Sequence, residues 1–93
     1  MQVTKATLRK TNLTEREVHN IMNAANRFRP ICDAHTYTGL NEKGSYGCIL
    51  RFNLKKLVEF YERRVVAIHV RKGSDRVKEL LQKAYKDVLC LKS

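Results

Sequence analysis

Trp is missing from this 93-residue chain, Pro occurs once, Gly four times, and aromatic residues make up only 8%. So few breakers beside a hydrophobic content of 43% exclude a disordered or fibrous Pro/Gly-rich chain and describe one that folds. No apolar run approaches the roughly 20 residues of a bilayer-spanning helix, and Met1 to Lys10 lacks the apolar segment of a secretory leader. The expectation is a soluble, intracellular, cytoplasmic protein with no membrane partner. Cysteine is sparse too: Cys32, Cys48 and Cys90 are odd in number and widely spaced. That excludes a disulfide framework and predicts reduced, buried thiols. The length fits one small α+β domain over residues 1–93, with a core that is adequate but not generous.

Acidic residues are scarce as well. Nine Asp+Glu stand against 19 Lys+Arg, for a net charge of +10. Residues 1–50 carry seven basic and four acidic residues, and residues 51–93 carry twelve and five. A chain so charged attracts polyanions whatever its fold. Nucleic acid, RNA before DNA, is therefore the expected partner, and an acidic protein surface is the competitor. A membrane surface is disfavoured, because no basic stretch joins a Trp-rich or strongly apolar helical face.

Patterning supplies the elements. "QVTKATLR" (2–9) alternates and predicts a strand. "LTEREVHNIMNAANRF" predicts a helix, with Thr14 and Glu17 as a capping box, Leu13 and Val18 as a hydrophobic staple, and Val18, Ile21, Met22, Ala25 and Phe28 as its apolar stripe up to Pro30. "ICDAHTYT" (31–38) reads as a second strand, "GLNEKG" as a hairpin turn and "SYGCILRF" as the returning strand. Leu54, Leu57, Val58, Tyr61, Val65 and Ile68 fit one long helix, but the β-branched "RVVAIHVR" favours a short helix (53–62) followed by a strand (64–71). A last helix, capped by Ser74 or Asp75, has Val77, Leu80, Leu81, Ala84, Tyr85 and Val88 on its apolar face. The order predicts a ferredoxin-like βαββαβ sandwich with an additional C-terminal helix covering part of the sheet or an edge.

Two motifs and this element order, over about residues 2–72, resemble the RNA recognition motif family. "LRKTNL" carries Leu8, Asn12 and Leu13 of the family's first signature, with Arg9 where an aromatic usually stands. "TEREV" is similar to the acidic turn that opens the family's first helix. "KGSYGCILRF" has Lys43, Gly44, Tyr46, Gly47 and Ile49 of the second signature in order, with Ser45 inserted, Cys48 replacing the second aromatic and Phe52 late. The resemblance implies RNA binding without catalysis.

Strand alternation puts Tyr46, Cys48, Leu50 and Phe52 on one face, read as core-facing, with Tyr46 as a base-stacking platform the alternative. The opposite face then collects Lys5 and Arg9 from the first strand and His35 and Tyr37 from the second. The third strand adds Arg51 to it, and the fourth adds His69 and Arg71. Lys43 in the turn and Lys72 past the fourth strand extend this basic surface. Its cations suit phosphates, and Tyr37 suits a base. The alternative is a solvated face, or one covered by the last helix. A second cluster, Lys55, Lys56, Arg63 and Arg64, reads as a solvated helix face or an edge guard that adds phosphate contacts without reading sequence.

Little in the chain supports catalysis. There is no phosphate loop, nucleophile elbow or acidic two-metal cluster. Cys32 and His35 have the spacing of half a zinc site, but no second Cys/His pair follows, so neither metal nor cofactor is expected. His35 and His69, as an acid/base pair, would stand roughly 14 Å apart on opposite edges of the expected sheet. Only a hairpin over residues 55–71 would make the chain resemble a small basic ribonuclease toxin of the RelE type. The expected function is a non-enzymatic nucleic-acid-binding module. A small regulator or viral inhibitor docking on an acidic host protein is the alternative.

Overall fold

Thr4 ends the first strand well before the alternation of residues 2–9 predicts. In the computed structural model, which describes residues 1–41, 43–67 and 74–91, β1 spans Gln2–Thr4 and the chain turns at once into a short helix, α1, Lys5–Arg9. The cause is a reciprocal cap: the Thr7 N–H donates to the Thr4 hydroxyl (3.5 Å) and the Thr4 N–H to the Thr7 hydroxyl (3.3 Å). A continuous strand would send Val3 and Leu8 to opposite faces, whereas the helical turn lets both into the core, where both are buried. Burying a Leu is worth roughly 1.5–3 kcal/mol. Strand propensity spans only about 1 kcal/mol, and it loses.

The second helix, α2 (Glu15–Arg27), follows its sequence signals. The Thr14 N–H donates to Glu17 Oε1 at 2.9 Å and the Glu17 N–H to the Thr14 hydroxyl at 3.2 Å. Val18, Ile21, Ala24 and Ala25 are buried, and Leu13, Met22 and Phe28 lie half-buried against the same cluster. The strand expected over 31–38 starts later. Turns in which Ile31 and Cys32 donate to the Phe28 carbonyl, and Ala34 to that of Arg29, hold the chain back. Asp33 there adopts φ +51°, a left-handed conformation that Asp tolerates better than most residues. These turns sink Cys32 into the core, where burial pushes its thiol pKa up. Cys48 and Cys90, also expected to be buried, are exposed.

Strand β2 (His35–Leu40) and strand β3 (Tyr46–Asn53) form a hairpin, and the sheet order is β1-β3-β2, all antiparallel. Val3 pairs with Phe52 and Thr4 with Arg51, so β1 covers only residues 51–53 of β3. Residues 46–50 pair with β2 alone, and the hairpin projects past the core. Along one face of β3, Phe52 is fully buried, Leu50 half-buried, Cys48 exposed and Tyr46 76% exposed. The expected core face is correct in direction and wrong in extent. Tyr46 and Cys48 are surface residues, because the helical layer ends before it reaches them.

A single helix, α3, runs Leu54–Ala67. Residues 64–67, expected in a strand, are helical, and the rest of that strand lies outside the described residues. A hairpin over 55–71 is excluded, and with it the toxin-like topology. Leu54, Leu57, Val58 and Tyr61 are buried at helical spacing, and this packing outweighs a Val helix penalty of at most about 0.7 kcal/mol per residue. The final helix, α4 (Ser74–Leu91), buries Leu81, Ala84 and Val88. It packs chiefly on α3, then α2 and α1, more than on the sheet. Among the described residues the chain is α+β, with a three-stranded antiparallel sheet and four helices. No helix among them is long and apolar enough to cross a membrane.

Phe52→Ala is expected to cost about 3–5 kcal/mol in urea unfolding, while Tyr46→Ala on the same strand face costs under about 0.5 kcal/mol. The Thr14 backbone N–H, with attraction to Lys83 (Nζ 3.5 Å from Oε2), holds the Glu17 carboxyl below its ordinary value. A lowered folded-state pKa adds stability that is present above the ordinary glutamate range and is lost as pH falls through the lowered value. Wild type should therefore lose more stability than Glu17→Gln between about pH 5 and pH 3.

Candidate nucleic-acid interface

The early end of β1 creates a groove. Where a longer β1 would have continued along β3, α1 stands instead, and between α1 and the projecting hairpin lies a cleft of about 460 Å³. Lys5, Ala6 and Arg9 form the α1 wall. Tyr37, Leu40, Lys43 and Ile49 line the hairpin wall. Lys5 and Arg9 are four residues apart and share one side of the helical turn, while Leu8 anchors the turn in the core. The sequence placed Lys5 and Arg9 on a strand; the structure moves them to a helix and keeps them beside Tyr37.

The hairpin wall is held rigid by its loop. Asn41 Oδ1 accepts from the Lys43 N–H (2.9 Å) and the Ser45 N–H (3.1 Å), and the Asn41 N–H donates to the Ser45 carbonyl at 2.8 Å. Gly44 has φ +81°, which a residue with a Cβ would adopt only with strain. These bonds set the backbone of Lys43 at the cleft mouth. Tyr37 and Ile49 are cross-strand partners. A Cβ at Gly39 would lie 3.1 Å from atoms of both, so the glycine gives these two side chains room to lie side by side.

Arg51 sits beside this floor. Its guanidinium carbon is 4.6 Å from the centroid of the Tyr37 ring, a cation–π contact, and His35 pairs with Arg51 in the sheet register, its ring 6.5 Å from that of Tyr37. The three residues predicted to share the face opposite Phe52 do share it. The stack also changes Arg51's role: one side of Tyr37 is already covered, by a cation whose planar fork can still donate to a phosphate.

The cations differ in how committed they are. Arg9 donates from Nε and Nη2 to the Glu15 carboxylate, each at 3.0 Å, which fixes the guanidinium and partly neutralises it. Lys5, Lys43 and Arg51 make no ion pair among the described residues. On α3 two cations are engaged: Lys56 pairs with Asp33, which raises its pKa, and Arg63 approaches Glu59 at 4.0 Å. His69, Arg71 and Lys72, expected on the same basic face, lie outside the described residues. Sequence reasoning reads Gly39 and Asn41 only as turn residues, without their part in shaping the hairpin wall, and misses Glu15 as the partner of Arg9. The Asn41-to-Gly44 spacing and the Thr-x-x-Thr of Thr4 and Thr7 were the available signals.

Comparison with family models, curated proteins and solved structures finds no match to this chain. Its chemistry is read from the cleft alone. In a double-mutant cycle, Tyr37→Leu and Arg51→Gln are expected to couple by about 0.5–1 kcal/mol in unfolding free energy, the size of an exposed cation–π pair. Additive losses would mean that the stack does not form in solution.

Proposed function

We propose that this protein is a small, non-enzymatic RNA-binding module that draws a single strand along the cleft between α1 and the β2–β3 hairpin. One observation carries the reading: Lys5, Arg9 and Lys43 surround a cleft floored by Tyr37 and Ile49, with Arg51 stacked on the tyrosine. Cations at the rim suit phosphates, and an apolar, partly aromatic floor suits unpaired bases. A duplex hides its bases, so the single strand fits better. The excess of positive charge over the chain, +10, adds sequence-independent attraction and fast association.

The ferredoxin-like reading of the fold has support in the sheet order β1-β3-β2, which sets β3 between the two strands that flank the α2 crossover, a split βαβ arrangement. It also fits the resemblance to the RNA recognition motif. The binding surface proposed here differs from that family's usual one, since Tyr46 lies on the Phe52 side of β3 and away from Arg51. A second reading, a regulator docking on an acidic host protein, draws on Leu40 and Tyr46, exposed by 59% and 76% at the hairpin end beside Lys43. An exposed aromatic with a neighbouring cation is what a protein interface uses as an anchor.

Fluorescence anisotropy with a short single-stranded RNA separates the two. Affinity is expected to fall steeply with salt, and Lys5→Glu, Lys43→Glu and Arg51→Glu should each weaken binding and flatten the log–log salt slope by about 0.7 for each phosphate no longer neutralised. Unchanged affinity and slope in all three variants would remove the cleft from consideration. A stoichiometric acidic protein retained from nuclease-treated lysate would favour the docking reading instead.

A further inference from the structure

Among the described residues the sheet order makes β1 and β2 edge strands. β1 is protected by brevity, three residues before α1 turns away. β2 has six residues, HTYTGL, in unbroken register with β3 from His35↔Arg51 to Leu40↔Tyr46, so no bulge bends its outer edge out of reach. In a chain that is 30% charged, β2 contains no Lys, Arg, Asp, Glu or Pro, the residues with which proteins blunt an edge. Among the described residues its backbone bonds to no strand but β3. The long edge is unguarded.

We propose that the outer edge of β2 pairs antiparallel with the same edge of a second copy of this chain, joining two three-stranded sheets into one of six strands. Two considerations select a second copy over a foreign strand. Antiparallel pairing of a strand with itself is complementary by symmetry, since each N–H meets a C=O across the two-fold axis. Charge decides the rest. A chain of net charge +10 can meet its own copy only where no cations are set opposite one another, and β2 is such a place. An acidic foreign strand, conversely, would find no cation on β2 to pair with.

The pairing stands apart from the nucleic-acid reading and survives if that reading fails. A six-residue edge buries less than the roughly 800 Å² per partner of a standard interface, so the association is reversible and depends on concentration. The two-fold axis runs perpendicular to the sheet, which leaves Tyr37 and Arg51 of both copies on one side.

Sedimentation equilibrium on nuclease-treated protein in reductant tests this, the reductant preventing disulfides through the exposed Cys48 and Cys90. The weight-average mass is expected to climb from 10.8 kDa towards twice that value as concentration approaches about 1 mM. Thr36→Lys with Thr38→Lys puts like charges directly opposite whether the two-fold passes through Tyr37 or Thr38. Both side chains are exposed, so the fold should be kept by far-ultraviolet circular dichroism while the mass stays at that of the monomer. Asn20→Lys with Asn23→Lys adds the same charge on the exposed side of α2 and should leave association intact. The proposal is overturned if wild type remains at 10.8 kDa at about 1 mM, if the dimer persists in the β2 variant, or if the α2 variant loses it equally.

Discussion

The strand β3 has eight residues, and β1 pairs with only three of them. That mismatch is the constraint on which the rest depends. At its Phe52 end, β3 is locked into the core between Val3 and the helices. At its Tyr46 end it has β2 as its only strand partner among the described residues. Because the Thr4 cap diverts the chain into α1, the space that a longer β1 would fill becomes a cleft with a helical wall. Extending β1 by two or three residues would close it.

Electrostatics then sorts the cations by task. On α3, Lys56 and Arg63 face carboxylates of their own chain, exposed pairs that contribute little to stability and leave little field for a partner. Around the cleft, Lys5, Lys43 and Arg51 lack that compensation among the described residues, and Arg9 is held in one orientation by Glu15. Lysines and arginines that meet phosphates fix a strand's position without reading its sequence. The floor of Tyr37 and Ile49 offers shape and stacking, not a pattern of donors and acceptors. On the proposed reading, such a site would bind many sequences.

Much of this was legible from residue pattern alone. The Thr14–Glu17 cap, the stripe from Val18 to Ala25, the turn around Asn41 and the face of α4 all follow rules that act within a few residues. So does the sharing of one sheet face by His35, Tyr37 and Arg51, since alternation along a strand is geometric. What escaped depends on long-range packing. Whether residues 5–9 continue a strand or turn into a helix depends on where Leu8 finds a cavity, and whether "RVVA" is helix or strand depends on the partner α3 already has in α4. Tyr46, expected to face the core and 76% exposed, differs for the same reason. Alternation gives its direction, but only the extent of the helical layer decides whether anything covers it.

Backbone and side-chain chemical shifts, followed while a short single-stranded RNA is titrated into the protein at two salt concentrations, locate the binding surface without any substitution. The largest changes are expected at Lys5, Ala6, Arg9, Tyr37, Lys43 and Ile49, shrinking together as salt is raised. Changes confined to α3 and α4, with the residues of the cleft unmoved, would contradict the assignment of this groove as the binding site.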